Sequence, residues 1–486
     1  MSFRSPEAAA RRRRLYPGVA VAAVIAAGVT VAGLINGPNG GKDRKAPPGA
    51  TGETIDPLTY RPALDGDYEA RATAGYSHVL YAKSPGGTFA TARRVDRLRP
   101  LVEAATRDSG VDADTLEAVV FLESGGRPDV IAGGKDPANA SGLAQIVAET
   151  GQSLLAMHVD LQRSRALTRT ARRAAARGKP KAARRALALR RRVDERFEPR
   201  KALAGAVRYL TAAQEHFGRD DLALVSYHMG IGNLDRVIAA YGGERPSYVR
   251  LFFDSTPLRH AAAWRLLSGF GDDSSTYYWR VLAAKEIMRL YREERGTLQR
   301  RDELQTNKAS SEEILHPEEE TKVFQAPDDV EKARDDGTLA ALPASPARLG
   351  FRIDRRMGEL APKLDRQAEL YRALRPEALR AAEWMGPLVA RISGVPGQLT
   401  MTSAVRDQRY QDLLVEGNVE ATSQYSLHTT GYAFDVLRRY HGRAQAVAFQ
   451  FLLDRLQALN LIAWVREPAA IHITAASDAG RLPIRP

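Results

Sequence analysis

Asp112-Ala113-Asp114-Thr115-Leu116-Glu117-Ala118-Val119-Val120-Phe121-Leu122-Glu123-Ser124-Gly125-Gly126 is the stretch from which the fold of this 486-residue chain is best read. Asp114 with Glu117 three residues on has the form of a helix start. Leu116, Val119, Val120 and Glu123 then fall at i, i+3, i+4 and i+7, which puts Glu123 on the apolar stripe of an amphipathic helix. A carboxylate is expensive there, and desolvation should raise its pKa toward the range a general acid needs at neutral pH. The paired glycines 125 and 126 stop the helix just after it. The plainer alternative is a Glu that escapes at the helix terminus and caps it or pairs with an Arg.

Composition sets the wider limits. Hydrophobic residues make up 44% and charged residues 27%, which excludes wholesale disorder and collagen-like repeats. The chain has no cysteine, so disulfide frameworks, thiolate zinc fingers, iron–sulfur clusters and a cysteine nucleophile are excluded. A net charge of +13 and a pI near 9.8 favour an anionic partner: nucleic acid, membrane surface or cell-wall polymer. Arg11 to Arg14 precede an uncharged run from Leu15 to Ile35, long enough to span about 31 Å as a helix. We read residues 1–36 as a cytoplasmic basic tail and transmembrane anchor, with a cleaved signal peptide as the competing reading. Gly and Pro then mark a linker over 37–72. An anchor disfavours nucleic acid as a partner and places the rest of the chain outside the cell membrane as a single-pass protein.

Between Gln162 and Val193 stand 13 Lys or Arg and no acid, broken at Gly178-Lys179-Pro180. The segment reads as two basic helices inserted over 163–192, either a plain solvated hairpin or a handle for an anionic wall polymer or lipid. From 297 to 345 the composition turns acidic, with Glu312, Glu313, Glu318 to Glu320 and several Asp, and reads as a surface connector. The remainder, 346–486, alternates helical and strand-like segments.

Other motifs accompany Glu123 in order: Ala140-Ser141-Gly142-Leu143-Ala144-Gln145-Ile146, then Phe197-Glu198-Pro199 leading into a helix. Ala223-Leu224-Val225-Ser226-Tyr227-His228-Met229-Gly230 and Thr276-Tyr277-Tyr278-Trp279 complete the series. This series resembles the soluble lytic transglycosylase domain, a lysozyme-like fold, over roughly residues 85 to 290. The resemblance implies cleavage of the MurNAc–GlcNAc β-1,4 bond of peptidoglycan with a 1,6-anhydro product. It makes Glu123 the catalytic acid and base, and Gln145 and Tyr227 substrate-binding residues. Ala144 and His228-Met229 depart from the family's usual residues. A hydrolase needs a second carboxylate, for which Asp136 is the nearest candidate in sequence.

A second constellation surrounds His428. Tyr432, Phe434 and Val436 alternate with Ala433 and Asp435, a strand pattern that turns Asp435 away from the aromatic face. A His and an Asp joined by a later His form an N₂O set suited to catalytic zinc. With Thr402-Ser403-Ala404-Val405-Arg406-Asp407 upstream and Ile471-His472-Ile473-Thr474 downstream, the order resembles zinc D-alanyl-D-alanine carboxypeptidases and dipeptidases. That resemblance implies His428, Asp435 and His472 as zinc ligands and Arg406 as the residue holding the anionic substrate. The family's proton-accepting Glu stands three residues before the last His, where this chain has Ala469. Glu467, five residues before His472, is the nearest substitute, and a site that binds metal without catalysis is the alternative.

Together these readings give an α+β multidomain chain. It has an N-terminal transmembrane helix, a mainly α lysozyme-like domain over 73–296 and a small α+β metallopeptidase-like domain over 346–486. The expected function is peptidoglycan remodelling on glycan strands and stem peptides. A cell-wall-binding scaffold and a muramidase-type hydrolase are the alternatives.

Overall fold

Asp112 and not Asp114 caps the helix that carries Glu123: its carboxylate accepts hydrogen bonds from the backbone N–H groups of Asp114 and Thr115, and the helix runs Ala113–Ser124. The structure, a computed structural model, describes residues 54–484 other than 309, 346–348 and 418–423, together with Val29–Thr30. The anchor expected over 1–36 and most of the linker lie outside the described residues, apart from Val29 and Thr30, which pair antiparallel with Val465 and Trp464. No helix among the described residues is long and apolar enough to cross a membrane.

The first half of the chain is helical. Its principal elements are α1 (Asp65–Gly75), α2 (Ala113–Ser124), α3 (Leu161–Ala176), α4 (Pro180–Val193), α5 (Pro199–Phe217), α6 (Asp220–Met229), α7 (Tyr277–Glu293) and α8 (Arg295–Thr306). α2 lies against α7, and α5 against α6. α1 starts inside the stretch expected to be linker. Tyr68 and Ala72 bury one of its faces, and Arg71 is buried in ion pairs with Asp67 and Asp478. α3 and α4 are the two basic helices read from sequence. They are pinned at their base where Arg190 and Arg191 share Asp129 and Arg165 pairs with Asp136.

The second half is an α+β unit. β1 (Phe351–Ile353), β2 (Leu399–Ser403), β3 (Ala433–Leu437), β4 (Ile462–Arg466) and β5 (Ala470–Ala475) form a sheet in the order β4-β5-β3-β2-β1. All these pairs are antiparallel except β1 with β2. α9 (Pro376–Ser393) and α10 (Arg443–Ala458) pack together, with α10 also against β4.

The acidic connector is not purely a surface segment. Phe324 and Val330 are fully buried in a small apolar cluster with Leu339 and Tyr371, and Glu312 and Glu313 are buried as well. The two halves share one continuous apolar core. Arg455 of α10 reaches into the helical half, where its guanidinium donates to the carbonyls of Phe252, Phe253 and Ser255 and lies over the rings of Phe252 and Phe253. At Gly75 the chains approach so closely that a Cβ would stand 2.3 Å from the Gln457 carbonyl oxygen.

Candidate functional site

Glu123 occupies the last turn of α2, and Gly125 ends the helix in the left-handed region at φ 57°. The side chain is half-buried, and Oε1 accepts a hydrogen bond of 2.8 Å from the Tyr277 hydroxyl at the start of α7. Burial pushes the Glu123 carboxyl up to about 7; the Tyr277 hydrogen bond opposes this and the nearby Asp273 adds to it. Glu123 is therefore a carboxyl able to give and take a proton near neutral pH.

Aromatic rings build the wall beside it. Tyr277 is stacked with His228 at 5.1 Å between centroids and with Tyr227 at 6.4 Å. The Tyr227 hydroxyl donates to the Ala144 carbonyl at 2.8 Å, tying α6 to the loop that carries Gln145. Gly142 starts that turn at φ 81°, and a Cβ there would stand 1.7 Å from the Arg196 carbonyl oxygen, so only glycine fits. Gln145 itself adopts φ 46°, an uncommon conformation for a residue with a side chain. Its amide donates to the carbonyls of Gly142 and Val130.

Motifs far apart in sequence thus converge: Glu123 with Tyr277, Tyr277 with Tyr227 and His228, and Tyr227 with the loop at 142–145. Asp136 is engaged elsewhere, its carboxylate held by Arg165. Asp273, whose charge Glu123 does sense, is paired with Arg280. Sequence reading quoted Tyr277 in a motif without assigning it a place in the site, and missed Asp273. The one available signal was the position of Tyr277 at a helix start.

The second cluster is assembled by sheet register. Ser403 of β2 stands opposite Asp435 of β3, Asp435 opposite His472 of β5, and His472 opposite Val465 of β4. Residues paired across strands share a face, so the sheet lays Ser403, Asp435 and His472 in one row. His428 joins from the turn before β3, where its Nδ1 donates to the Ala404 carbonyl at 2.8 Å and its Nε2 lies 3.2 Å from Asp435. Potential ligand atoms of His428, Asp435 and His472 all lie within 4.8 Å of one another, and all three residues are buried.

This donor set fits a divalent metal. Two imidazoles and one carboxylate converge on a point, and the far nitrogen of His428 is fixed by a backbone carbonyl, as is usual for metal-ligating histidines. His472 is pushed up to about 10: burial works against this, but Glu312 and Asp435 outweigh it. The two imidazoles likewise hold Asp435 well below the usual carboxylate range in spite of burial.

The Arg406 guanidinium donates to Ser403 Oγ and Gln411 Oε1, and approaches Asp435 Oδ2 to 3.5 Å. A cavity of about 210 Å³ beside it is lined by Ser403, Arg406, Tyr410 and Asp435 among others. Glu467 lies outside the three-residue cluster, on the turn between β4 and β5, where its N–H donates to the Ala470 carbonyl at 3.0 Å. Standing two residues beyond Val465, the cross-strand partner of His472, it continues the face of His472, and Arg406 senses its charge. Glu312, buried against His472, was missed because an acid inside an acidic run carries no mark of burial.

No curated protein matches the chain. The family model described as Transglycosylase SLT domain matches residues 178–248, a segment that includes α5, α6, Tyr227 and His228 but neither Glu123 nor Tyr277. The helical half of the chain therefore carries a transglycosylase SLT region, and part of the wall around Glu123 is built from it.

Proposed function

We propose that this chain is a peptidoglycan lytic transglycosylase anchored outside the cell membrane, with a second, metal-dependent site for stem peptides. The observation that carries the first activity is a single carboxyl near neutral pKa, Glu123, bonded to Tyr277 in a wall partly formed by the SLT region. Protonated Glu123 gives its proton to the glycosidic oxygen as the C1–O bond breaks. The resulting carboxylate takes the proton of the sugar's own 6-hydroxyl, O6 bonds to C1, and a 1,6-anhydro end leaves. Water is not consumed, so no second carboxylate is required. The ion pairs that occupy Asp136 and Asp273 favour this reading over a muramidase-type hydrolase.

For the second site, His428, Asp435 and His472 would hold a divalent metal, with zinc the best match to the donor set. The bound metal would supply Lewis-acid polarisation of a peptide carbonyl. Arg406 offers a permanent, fork-shaped charge for a carboxylate or for oxyanion charge. Glu467 is the proposed proton acceptor. Its place on the face of His472 and its influence on Arg406 support that role.

The test uses a soluble form lacking residues 1–45 on purified sacculi, with products read by mass spectrometry. Anhydro-muropeptides that disappear in Glu123→Gln but persist in His428→Ala are expected. Shortened stems should require His428. Sacculi that bind the protein yet stay intact, under conditions where a control enzyme digests them, would sink both activities and leave a scaffold.

A further inference from the structure

Glu312 belongs to the segment that leaves α8 and crosses from the helical half to the sheet. It heads a single helical turn, Glu312–Leu315. Its Oε2 accepts from His472 Nε2 at 2.8 Å and from Thr474 Oγ at 3.2 Å. His472 and Thr474 are alternate residues of β5, so one carboxylate spans both side chains on that face. On its other side Lys308 Nζ stands 3.3 Å from Oε1. The opposite ring nitrogen of His472, Nδ1, points to Asp435 Oδ1 at 2.9 Å.

We propose that Glu312 is a positioning residue: it fixes the proton of His472 on Nε2 and so presents the Nδ1 lone pair to a metal shared with His428 and Asp435. The inference rests on the metal-binding reading given above. Its logic is the donor inventory. A neutral imidazole has one N–H and one lone pair, and a carboxylate can only accept. Both ring nitrogens face a carboxylate, Nε2 that of Glu312 and Nδ1 that of Asp435; a metal shared by Asp435 and His428 would take the Nδ1 lone pair, and Glu312 then holds the one remaining hydrogen on Nε2. The carboxylate also raises the basicity of the ligand. The Ala404 carbonyl does the same for His428 from the opposite ring nitrogen, so the two imidazoles are locked in opposite tautomers. A consequence concerns the whole chain. The ligand set lies in the sheet, but the group that orients its last member arrives on the connector, 160 positions away in sequence.

The test measures zinc and cobalt binding to the full chain in detergent by chelator competition, with ¹⁵N NMR of the histidine rings in the zinc-loaded protein. Glu312→Ala should weaken zinc binding by roughly 10- to 100-fold, with loss of the slowly exchanging Nε2 proton of His472. Glu312→Gln keeps an acceptor, so the tautomer should survive while affinity falls by about threefold or more. The neighbouring Glu313→Gln should match the parent protein, although Glu313 is buried and also pairs with Lys308. If Glu312→Ala does not fold, Glu312→Gln decides alone. Unchanged affinity and ring tautomer in the Glu312 variants overturn the role of Glu312 and leave the metal site standing. A parent protein that binds neither metal overturns both.

Discussion

Replacing Glu123 by Gln should stabilise this protein, and the gain should depend on pH. The Glu123 carboxyl is raised from its ordinary 4.5 to about 7, with burial the largest cause. A raised carboxyl favours the fold while protonated, so its contribution is complete below the unfolded-state pKa and is lost as pH rises through the folded one. A gap of about 2.5 units, at about 1.4 kcal/mol each, corresponds to about 3 kcal/mol. Glutamine is neutral throughout and can still accept from the Tyr277 hydroxyl. The Glu123→Gln protein and its parent should therefore be nearly equal in stability at pH 4. The variant should gain progressively between about pH 4.5 and 7 and hold about 3 kcal/mol above that. Equilibrium denaturation across pH 4 to 9 reads this without reference to any activity. A difference that stays flat with pH would show that Glu123 titrates like an exposed carboxyl, and the proton-transfer argument would lose its basis.

Tyr277→Phe removes the hydrogen bond that favours ionised Glu123, so the alkaline limb of the pH–rate profile for anhydro-muropeptide release should move up by about one unit. A downward shift would refute the assigned role of the hydroxyl. Arg455→Ala strips the Phe252, Phe253 and Ser255 carbonyls of their donor; thermal stability should fall by about 3 kcal/mol or more, seen as a lowered melting temperature. Changing Arg172, Arg173, Arg184 and Arg185, all exposed on α3 and α4, to Gln spares the ion pairs at the hairpin's base. Sedimentation with sacculi bearing anionic polymers should show weaker and less salt-sensitive binding, and unchanged binding would leave the hairpin as a plain solvated insert.

Much of the candidate site was legible because its residues violate local expectation. Glu123 stood out as a carboxylate on an apolar stripe, and the period-2 pattern around Asp435 announced its strand. The glycine at 142 sits where backbone meets backbone. What could not be read was anything decided by a distant partner. Arg71 and Arg455 look like surface charges until their acceptors, Asp478 for one and the carbonyls at 252 to 255 for the other, are brought to them by the fold. Asp112 displaced Asp114 as the cap because either acid satisfies the local rule, and the start of the helix is set by where the apolar stripe packs. α1 escaped notice for a related reason: its buried face holds Tyr68, Ala72 and an Arg, too polar a set to register as periodic hydrophobicity.

Glu312 carries the same lesson into function. Five residues, Glu312, Glu313 and Glu318 to Glu320, are indistinguishable by composition, yet the first two are buried while the other three are not. The difference lies in position relative to β5. An acid one step from the His472 ring finds two donors there, so its desolvation is offset; Glu319, a few residues later, stays exposed and pairs with Arg300 at the surface. A segment whose charge suggests a solvated spacer can thus be retained for one carboxylate at one point. Because that point lies on the path between the two halves, and because the halves share a core at Gly75 and Arg455, the Glu123 site and the His428 cluster belong to one folded body.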